Sequence, residues 1–189
     1  MLRLISPIAL AIVGILLFGD GTYIHGKAWL AQLLLNCAFD RSVATGEAVK
    51  PWSWADMWPI ARIEVKRIGA SAIVLEGTSG QALAFGPGHL SQTIDAGERG
   101  IAVYAAHRDT HFRFLKNVAI GDVVDVTRID GQHFRYRMDS SAVVNFDASG
   151  LEHATQDFEL VLATCWPFDA VTSGPERYIL HATLIGTGR

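Results

Sequence analysis

The stretch "FELVLATCWPFDA", residues 158–170, joins a β-rich apolar run to an abrupt stop. Cys165 stands at the tip of the run, and Pro167 follows two residues later. Proline lacks the backbone N–H that a strand ladder needs, so a strand formed by this run must end near Cys165. The stretch therefore predicts a strand that presents a thiol at its end, where a side chain can face a groove.

Around this stretch, the chain from residue 60 onward is a succession of short β-rich runs broken by turn residues. Several runs alternate apolar and polar residues as half-buried strands do, and their turns recur at the spacing of barrels or sandwiches. Eight or so such strands can close a small barrel, and "DTHFRFLKNVAIGD" predicts one short helix. The β-rich runs are "ARIEVKRI", "SAIVLEG", "QALAFG", "IAVYAA", "DVVDVTRI", "HFRYRM", "AVVNF", "FELVLAT" and "RYILHATLI".

The first residues predict a membrane anchor. Arg3 precedes an uncharged run from Leu4 to Phe18. A signal peptide has an apolar stretch of about 7 to 15 residues and a small-residue cleavage site, whereas a spanning helix needs about 20 residues and at least roughly 17. No clean cleavage site follows Phe18 and the helix can continue to Tyr23, so we favour an uncleaved anchor over residues 1–26. Arg3 then lies on the cytoplasmic side and the remainder outside the cytoplasm.

Residues 27–59 form a predicted lead-in between the anchor and the β-domain. In its first part, Trp29, Leu33 and Cys37 recur at spacings of four, which predicts an amphipathic helix. Cys37 falls on the apolar side of that helix and is expected to be a buried, inert thiol. The second part is Trp-rich and fits either a membrane interface or a strip packed on the domain; its tryptophans are Trp52, Trp54 and Trp58.

Charge and cysteine content exclude several functional classes. The 16 Lys and Arg residues against 19 Asp and Glu give a net charge of -3, with no basic run to bind phosphates, so nucleic acid is not an expected partner. Two distant cysteines, Cys37 and Cys165, form neither a disulfide framework nor a zinc motif. His107 and His111 are four residues apart, but Arg108 stands where a zincin has glutamate. No metal or cofactor is therefore expected.

Three polar residues at strand ends form a candidate catalytic site. A cysteine nucleophile acts as thiolate and needs an imidazole or another positive neighbour, and acyl transfer needs a donor for the developing oxyanion. His107 ends the run in "VYAAHRDTHF", and Arg177 begins the run in "GPERYILHA", twelve residues after Cys165. Other arginines are rivals for the role of Arg177: Arg108, which points either to solvent or to Asp109, Arg113 and Arg137. His89, after a glycine-rich turn, is expected to be structural.

These segments resemble the sortase family, the membrane-anchored cysteine transpeptidases of bacterial envelopes. The family's T-L-x-T-C motif appears as "VLATC", its histidine segment as "HRDTHF" and its arginine strand as "RYIL". The stretches "VLEGTSGQALAFGPGH", "GDVVDV" and "TCWPFDA" also match, in the family's order, over most of residues 60–186. The class GN sortases of Gram-negative proteobacteria are the closest likeness, because of the short anchor, the compact length and "TCWPFDA...GPERY". Val161 in place of threonine and Ala106 in place of glycine depart from the pattern.

The resemblance implies a fold and a reaction. The fold is an all-β, closed eight-stranded sortase-like barrel over residues 60–189 with one or two short helices, preceded by the transmembrane and amphipathic helices. Cys165 would attack an L-P-x-T-G-like C-terminal sorting signal and form a thioacyl enzyme, His107 would move protons, and Arg177 would hold the substrate and its oxyanion. Thr164 and Ala163 would contact the substrate.

The resemblance also implies partners and a location. The partners would be a substrate protein with a sorting signal, an amine acceptor in the cell envelope, and the membrane. The chain would be a single-pass inner-membrane protein with a periplasmic catalytic domain. Two alternatives stay open from the sequence, namely a cysteine endopeptidase in which water resolves the thioacyl enzyme, and a non-catalytic module that binds envelope proteins.

Overall fold

A computed structural model describes residues 26–147, 155–172 and 174–188. The predicted anchor, residues 1–26, lies outside these residues except for Gly26. Among the helices in the described ranges, none is both long enough and apolar enough to pass through a bilayer.

Eight strands close into a barrel, as the sequence predicts. Their order around the barrel is β1-β2-β3-β4-β7-β8-β6-β5, and β5 pairs with β1 to complete the circle. The β2–β3 and β4–β7 pairs are parallel, and the other pairs are antiparallel. The strands are β1 (Pro59–Val65), β2 (Ala70–Glu76), β3 (Gly88–His89), β4 (Gly100–Ala105), β5 (Val123–Arg128), β6 (His133–Asn145), β7 (Phe158–Cys165) and β8 (Glu176–Gly188).

Three of the predicted runs differ in the structure. "QALAFG" is a helix, α2 (Gly80–Phe85), because the Ser79 side chain caps it by accepting a hydrogen bond from the Ala82 backbone N–H at 3.1 Å. "HFRYRM" and "AVVNF" are one strand, β6, with a register shift between Met138 and Ser140 where the turn residues had suggested a break. The short strand β3 has no apolar run to reveal it.

Short helices complete the barrel domain. The helix predicted in "DTHFRFLKNVAIGD" is a 3-10 helix over Arg113–Asn117, and a second 3-10 helix spans Lys66–Ile68. With α2, the described barrel residues have three short helices, one more than the one or two expected, and the closed eight-stranded barrel itself is confirmed.

The barrel interior is a closely packed core. Its inward-facing residues include Tyr104, Phe112, Tyr136, Leu160, Leu162 and Leu180. The Tyr136 hydroxyl accepts a hydrogen bond from the Gly97 backbone N–H at 2.7 Å, and burial raises the pKa of Tyr136 to about 12. Gly97 has a φ of 95°, and a Cβ there would meet the Phe134 ring at 2.1 Å, so this position requires glycine.

Before the barrel, a helix runs through residues 26–45, and we call it α1. The helix confirms the predicted amphipathic segment. However, the side with Trp29, Leu33 and Cys37, which was expected to be apolar and packed, is not the side that is buried. Leu35 and Phe39 pack under β2 and α2 with Met57, Ile73 and Leu75. The buried apolar residues of α1 are Ala31, Leu35, Ala38 and Phe39. Trp29 (69% exposed), Leu30, Leu33 and Cys37 face outward instead.

The expectation of a buried Cys37 is therefore wrong. Leucines and alanines lie all around α1, so the 3.6-residue period fits more than one side of the helix. The side with Phe39 packs on the domain, and Arg62 lies over the Phe39 ring at 4.5 Å.

The tryptophans of the Trp-rich strip after α1 differ in how far they are buried. Trp52 packs edge-to-face on Phe85 of α2, with the ring centroids 5.2 Å apart. Trp58 is half-buried, whereas Trp54 is 80% exposed. The strip is thus partly packed on the domain, and Trp54 is the one that faces outward.

Candidate active site

The antiparallel β7–β8 pair brings Cys165 and Arg177 face to face. Cys165 is the last residue of β7, Arg177 is the second residue of β8, and the two are direct partners in the register. Side chains of direct partners project from the same face of a sheet. Here that face is the outside of the barrel, because the flanking residues Thr164 and Tyr178 point inward.

His107 reaches the same edge from the other side of β7. Strand β4 runs parallel to β7 with Ala105 opposite Ala163, so both strands end at one rim of the barrel. The Ala106 backbone N–H donates to the Ala163 carbonyl at 3.2 Å and continues the pairing to the residue before His107. His107 itself is exposed.

These residues share one groove on the outer surface, with a volume of about 370 Å³. Its floor is the outer face of β4, β7 and β8, and its rim carries Leu83 of α2, Leu90 and Phe146. Small residues at Ala105 and Ala163 keep the floor open between the polar groups. The lining residues are Leu83, Leu90, Val103, Ala105, Ala106, His107, Phe146, Ala163, Thr164, Cys165, Arg177 and Ile179. The structure thus brings together Cys165, His107 and Arg177.

Arg177 is held by the end of the loop that precedes it. Its Nη1 donates to the carbonyls of Gly174 at 3.0 Å and Glu176 at 2.9 Å, and its guanidinium lies 5.8 Å from the centre of the Phe146 ring. Both hydrogen bonds use Nη1, so with respect to the part of the chain that the structure describes, Nε and Nη2 remain as donors for a substrate oxygen. A fixed guanidinium beside a thiol suits the stabilisation of an oxyanion.

An aromatic cluster supports the chain just beyond the nucleophile. Trp166 stacks on Tyr178 with centroids 5.7 Å apart, and Phe168 contacts both rings edge-on at 5.6 and 5.2 Å. The Trp166–Pro167 peptide bond is cis. The Trp166 backbone N–H still donates to the Glu176 carbonyl at 3.0 Å, and beyond it the chain leaves the ladder near Pro167 as the sequence predicts.

The two predicted substrate-contact residues differ in position. Ala163 lies on the groove floor and is half-buried. Thr164 is 2% exposed, and its hydroxyl donates to the Ala106 carbonyl at 2.7 Å. The Thr164 side chain therefore ties β7 to the residue before His107, and only its backbone is left to contact a substrate.

Neither cysteine forms a disulfide, and Cys165 is half-buried in the groove. The described residues contain no group of three or more side chains of the types that bind metals. His111 contacts the Ala84 carbonyl of α2 at 3.3 Å, and burial, with a smaller effect of the nearby His107 charge, lowers its pKa. His89 is buried, with Nε2 3.1 Å from the Ile94 carbonyl oxygen. Both histidines therefore have structural contacts outside the groove.

The two departures from the sortase pattern lie beneath the groove. Val161 is buried with Val103 and Ile179 in a small cluster on the outer face of the sheet. Ala106 is 7% exposed and its backbone pairs with β7 through both its N–H and its carbonyl. Alanine is accommodated at 106 without a positive φ, since no non-glycine residue in the described chain has one.

Arg108 is buried, which no sequence pattern indicated. Of its two predicted directions, solvent and Asp109, the second is confirmed, because its Nε lies 3.4 Å from Asp109. Its side chain is 5% exposed and does not line the groove, so it is no rival of Arg177, and its hydrogen bonds go to the loop after Cys165. The sequence held no periodicity at this position that could have indicated burial.

The chain is similar in sequence and fold to known proteins. The sortase domain family matches residues 63–185. Sortase D of Bacillus subtilis (strain 168) is 33% identical over 122 residues, which make up 63% of this chain and 60% of that protein. The chain thus spans less than two thirds of the length of this curated relative.

Among solved structures, Sortase A from Corynebacterium diphtheriae superimposes with a TM-score of 0.63 and 26% identity, covering 70% of this chain and 63% of that one. A Clostridium perfringens Sortase D5 transpeptidase covers 82% of this chain and 96% of its own with a TM-score of 0.63, and at 23% identity it supports the fold alone. Because the sortase domain matches well over half of its residues, the chain belongs to the sortase family.

Proposed function

We propose that the chain is a cysteine transpeptidase that cleaves a C-terminal sorting signal and joins the product to an amine. Sortase family members are cysteine transpeptidases, which supports this kind of enzyme. The observation that carries the proposal is the convergence of Cys165, His107 and Arg177 on one groove. A binding module has no need for a thiol, an imidazole and a guanidinium at the same rim.

In the first step, the Cys165 Sγ attacks the scissile carbonyl carbon. The thiol proton passes to His107 and from there to the nitrogen of the leaving amine as the C–N bond breaks. A C–S bond has then replaced the C–N bond, and the substrate is held as a thioester on Cys165.

In the second step, the amine of an acceptor attacks the thioester carbon. His107 accepts a proton from this amine, the C–S bond breaks, and the departing Cys165 sulfur takes that proton from His107, which restores the thiol. The net reaction exchanges one amide for another, so no oxidant, metal or cofactor is needed for the balance.

Arg177 stabilises the oxygen of the attacked carbonyl. It stands opposite Cys165 in the register and is fixed through Nη1, so its other N–H groups can donate to an oxyanion that develops above the thiol. A guanidinium keeps its charge at every physiological pH. An oxyanion-hole donor of this kind contributes about 10² to 10³-fold to the rate.

The substrate is a protein with an L-P-x-T-G-like signal near its C-terminus. The groove supports an extended peptide, because its floor is a sheet face with small residues at Ala105 and Ala163 and its walls are the apolar Leu83, Leu90 and Phe146. A concave apolar site with a few placed polar groups is the usual form of a specific pocket.

The class within the family and the location are part of the proposal. The short apolar run after Arg3 and the stretch "TCWPFDA...GPERY" favour a class GN sortase of the Gram-negative inner membrane, with the barrel in the periplasm. The outward side of α1 agrees with a nearby membrane, since Trp29, Leu30 and Leu33 are exposed there.

The activity test uses the full chain in detergent micelles with a fluorescent L-P-x-T-G-like peptide and an amine acceptor. Ligated product supports the transpeptidase. Hydrolysed peptide in the presence of acceptor would instead indicate the endopeptidase, and an unreacted but bound peptide would indicate the binding module.

Matched controls are available within the chain. Cys37→Ala removes the other thiol, which is exposed on α1, and is expected to retain activity. His133→Ala, at an exposed histidine on β6, controls for His107→Ala, and Arg137→Ala on the same strand controls for Arg177→Ala. Equal losses in a site variant and its control would count against the proposed site.

The membrane proposal has its own test. After expression in a Gram-negative host, the chain should remain with the membrane after a carbonate wash, and external protease should digest the barrel in spheroplasts but not in intact cells. A chain released by carbonate, or protected in spheroplasts, would contradict the anchor or its orientation.

A further inference from the structure

Arg108 is a buried arginine in a loop, directly after His107. Its side chain is 5% exposed, although arginine is among the residues least often buried. Its Nη2 donates to two backbone carbonyls, those of Ala170 at 2.6 Å and Thr172 at 3.0 Å. Among the described residues, its one ion pair is with Asp109, which is mostly exposed and lies 3.4 Å from Nε.

The two carbonyls belong to the segment between β7 and β8. This segment begins directly after Cys165 and ends at Pro175, two residues before Arg177. The Arg108 guanidinium therefore joins two parts of the chain. One is the loop that carries His107, and the other is the segment between Cys165 and Arg177. Arg108 is 62 and 64 residues away in sequence from the carbonyls that it binds.

His107 has a fixed neighbour on each side. Before it, Ala106 pairs with β7 through its N–H to the Ala163 carbonyl and through its carbonyl to the Thr164 hydroxyl. After it, Arg108 binds the β7–β8 segment. His107 itself is exposed, so its place beside Cys165 depends on these flanking contacts.

Stability alone is a poor explanation for this arginine. Within the described ranges its Nε and Nη1 have no hydrogen-bond partner, and an unsatisfied buried polar group costs about 1 to 3 kcal/mol. A buried charge with incomplete pairing is weak evidence for stabilisation, and its better-supported use is to fix one arrangement of the chain.

We propose that Arg108 is a positioning residue, which sets the separation between His107 and Cys165 by tying the histidine loop to the β7–β8 segment. It does not touch the substrate. The two N–H bonds of Nη2 point at the two carbonyls in fixed directions within the guanidinium plane, a geometry that the flexible ammonium of lysine does not reproduce. The proposal rests on the proposed catalytic roles of His107 and Cys165.

The first arm of the test measures transpeptidation by the full chain in micelles. For Arg108→Ala and Arg108→Lys we expect kcat to fall about 10 to 100-fold, since small misplacements of catalytic groups have effects of this size, while KM changes less than about 3-fold. Arg113→Ala, at an exposed arginine in the neighbouring 3-10 helix, is the matched control and should keep its kcat. A full rescue by lysine would overturn the proposal, because charge alone would then suffice.

The second arm needs no substrate. In a Cys37→Ala background Cys165 is the single thiol, and its alkylation rate by iodoacetamide is followed against pH for the parent, His107→Ala and Arg108→Ala. We expect the Arg108→Ala profile to move from that of the parent toward that of His107→Ala. An Arg108→Ala profile equal to the parent's, or parent and His107→Ala profiles that coincide, would overturn the proposal.

The two arms separate this inference from the proposed function. If the parent fails to ligate the peptide but the profiles shift as expected, the substrate assignment fails and Arg108 still positions the histidine. If Arg108→Ala unfolds, thermal melting reveals it, and Arg108→Lys, which keeps the charge and bulk, is then compared in the same alkylation series. A lysine variant that is folded and has the parent's profile and kcat would contradict a positioning role.

Discussion

Strands β4, β7 and β8 form a sheet whose two faces have different roles. Alternate residues of the same strands point to opposite faces. The inner face is sealed into the barrel core, and its residues include Tyr104, Leu160, Leu162, Thr164 and Leu180. The outer face opens to the groove and carries Ala105, Ala163, Cys165 and Arg177. Because a strand alternates its side chains, each reactive residue is backed directly by a core residue.

The contrast is sharpest between Thr164 and Cys165, which are neighbours in the chain. Thr164 is buried and its hydroxyl donates a hydrogen bond to the Ala106 carbonyl, whereas Cys165 lies half-buried beside Arg177. The rigid inner face thus fixes the backbone from which the outer face projects its chemistry. Changes on the inner face should alter stability first, and changes on the outer face should alter activity alone.

The largest expected effect is on the outer face. Cys165→Ala should lower kcat/KM by at least about 10³-fold, because no other group in the groove can form the thioester. The melting temperature should stay within a few degrees of that of the parent chain, since the residue is not part of the core. Residual turnover comparable to that of Cys37→Ala would break the assignment of the nucleophile.

On the inner face, Leu162→Ala should lower the free energy of unfolding by about 3 kcal/mol, as truncation of a fully buried leucine leaves a cavity. The kcat of the folded protein should change less than about 3-fold. Urea unfolding and active-site titration measure the two quantities. The adjacent Ala163→Leu, which fills the groove floor, should do the opposite and raise KM with little change in stability.

Thr164→Val tests the link between the two faces. The change keeps the shape but leaves the Ala106 carbonyl without its hydroxyl partner, so the free energy of unfolding should fall by about 2 kcal/mol. Because Ala106 precedes His107, kcat should fall as well, which Leu162→Ala should not reproduce. A loss of stability with an unchanged kcat would show that the Thr164 hydrogen bond does not affect the activity of the outer face.

The smallest effect lies away from both faces, at Asp122 before β5. Its carboxylate accepts hydrogen bonds from Arg67, at 2.6 Å from Nη2, and from the Ala119 backbone N–H at 2.8 Å. The Arg67 hydrogen bond lowers the pKa of Asp122 from its ordinary 3.8. Its stabilisation is therefore present above pH 3.8 and lost as pH falls through the lower folded-state pKa.

Asp122→Asn should accordingly lower the free energy of unfolding by about 1 kcal/mol at pH 7, and the difference from the parent should shrink below pH 3.8. Urea unfolding at several pH values measures this. A difference that stays constant into acid would contradict the role of the ionised carboxylate, and kcat at pH 7 should be unaffected.

The strands of the barrel could be predicted from sequence because alternating apolar residues and strand-ending residues are local signals. Alternating runs such as Ile63 and Val65 mark the faces of strands, and Pro167 marks the end of β7. The convergence of Cys165, His107 and Arg177 on one groove was also predicted, since each stands at the end of such a run and within a stretch that resembles a family motif.

Features that depend on tertiary contacts could not be predicted in the same way. Helix α2 is an exception, because the helix-forming Gln, Ala and Leu of "QALAFG" and the Ser79 cap are local signals in a run that was assigned to a strand. The apolar residues of α1 fit more than one buried side, and only packing against β2 and α2 buries Phe39 and exposes Cys37. The hydrogen bonds of Arg108 join residues more than sixty positions apart, and no local pattern encodes them.

We propose that the outer face of the β4, β7 and β8 sheet holds the reacting thiol. The most direct test of this claim is mass spectrometry of the full chain after incubation with an L-P-x-T-G-like peptide in the absence of an acceptor amine. We expect a thioacyl adduct, of the mass of the peptide portion before the scissile bond, on Cys165, preserved in Cys37→Ala and absent in Cys165→Ala. An adduct on Cys37, or none on Cys165, would contradict the claim.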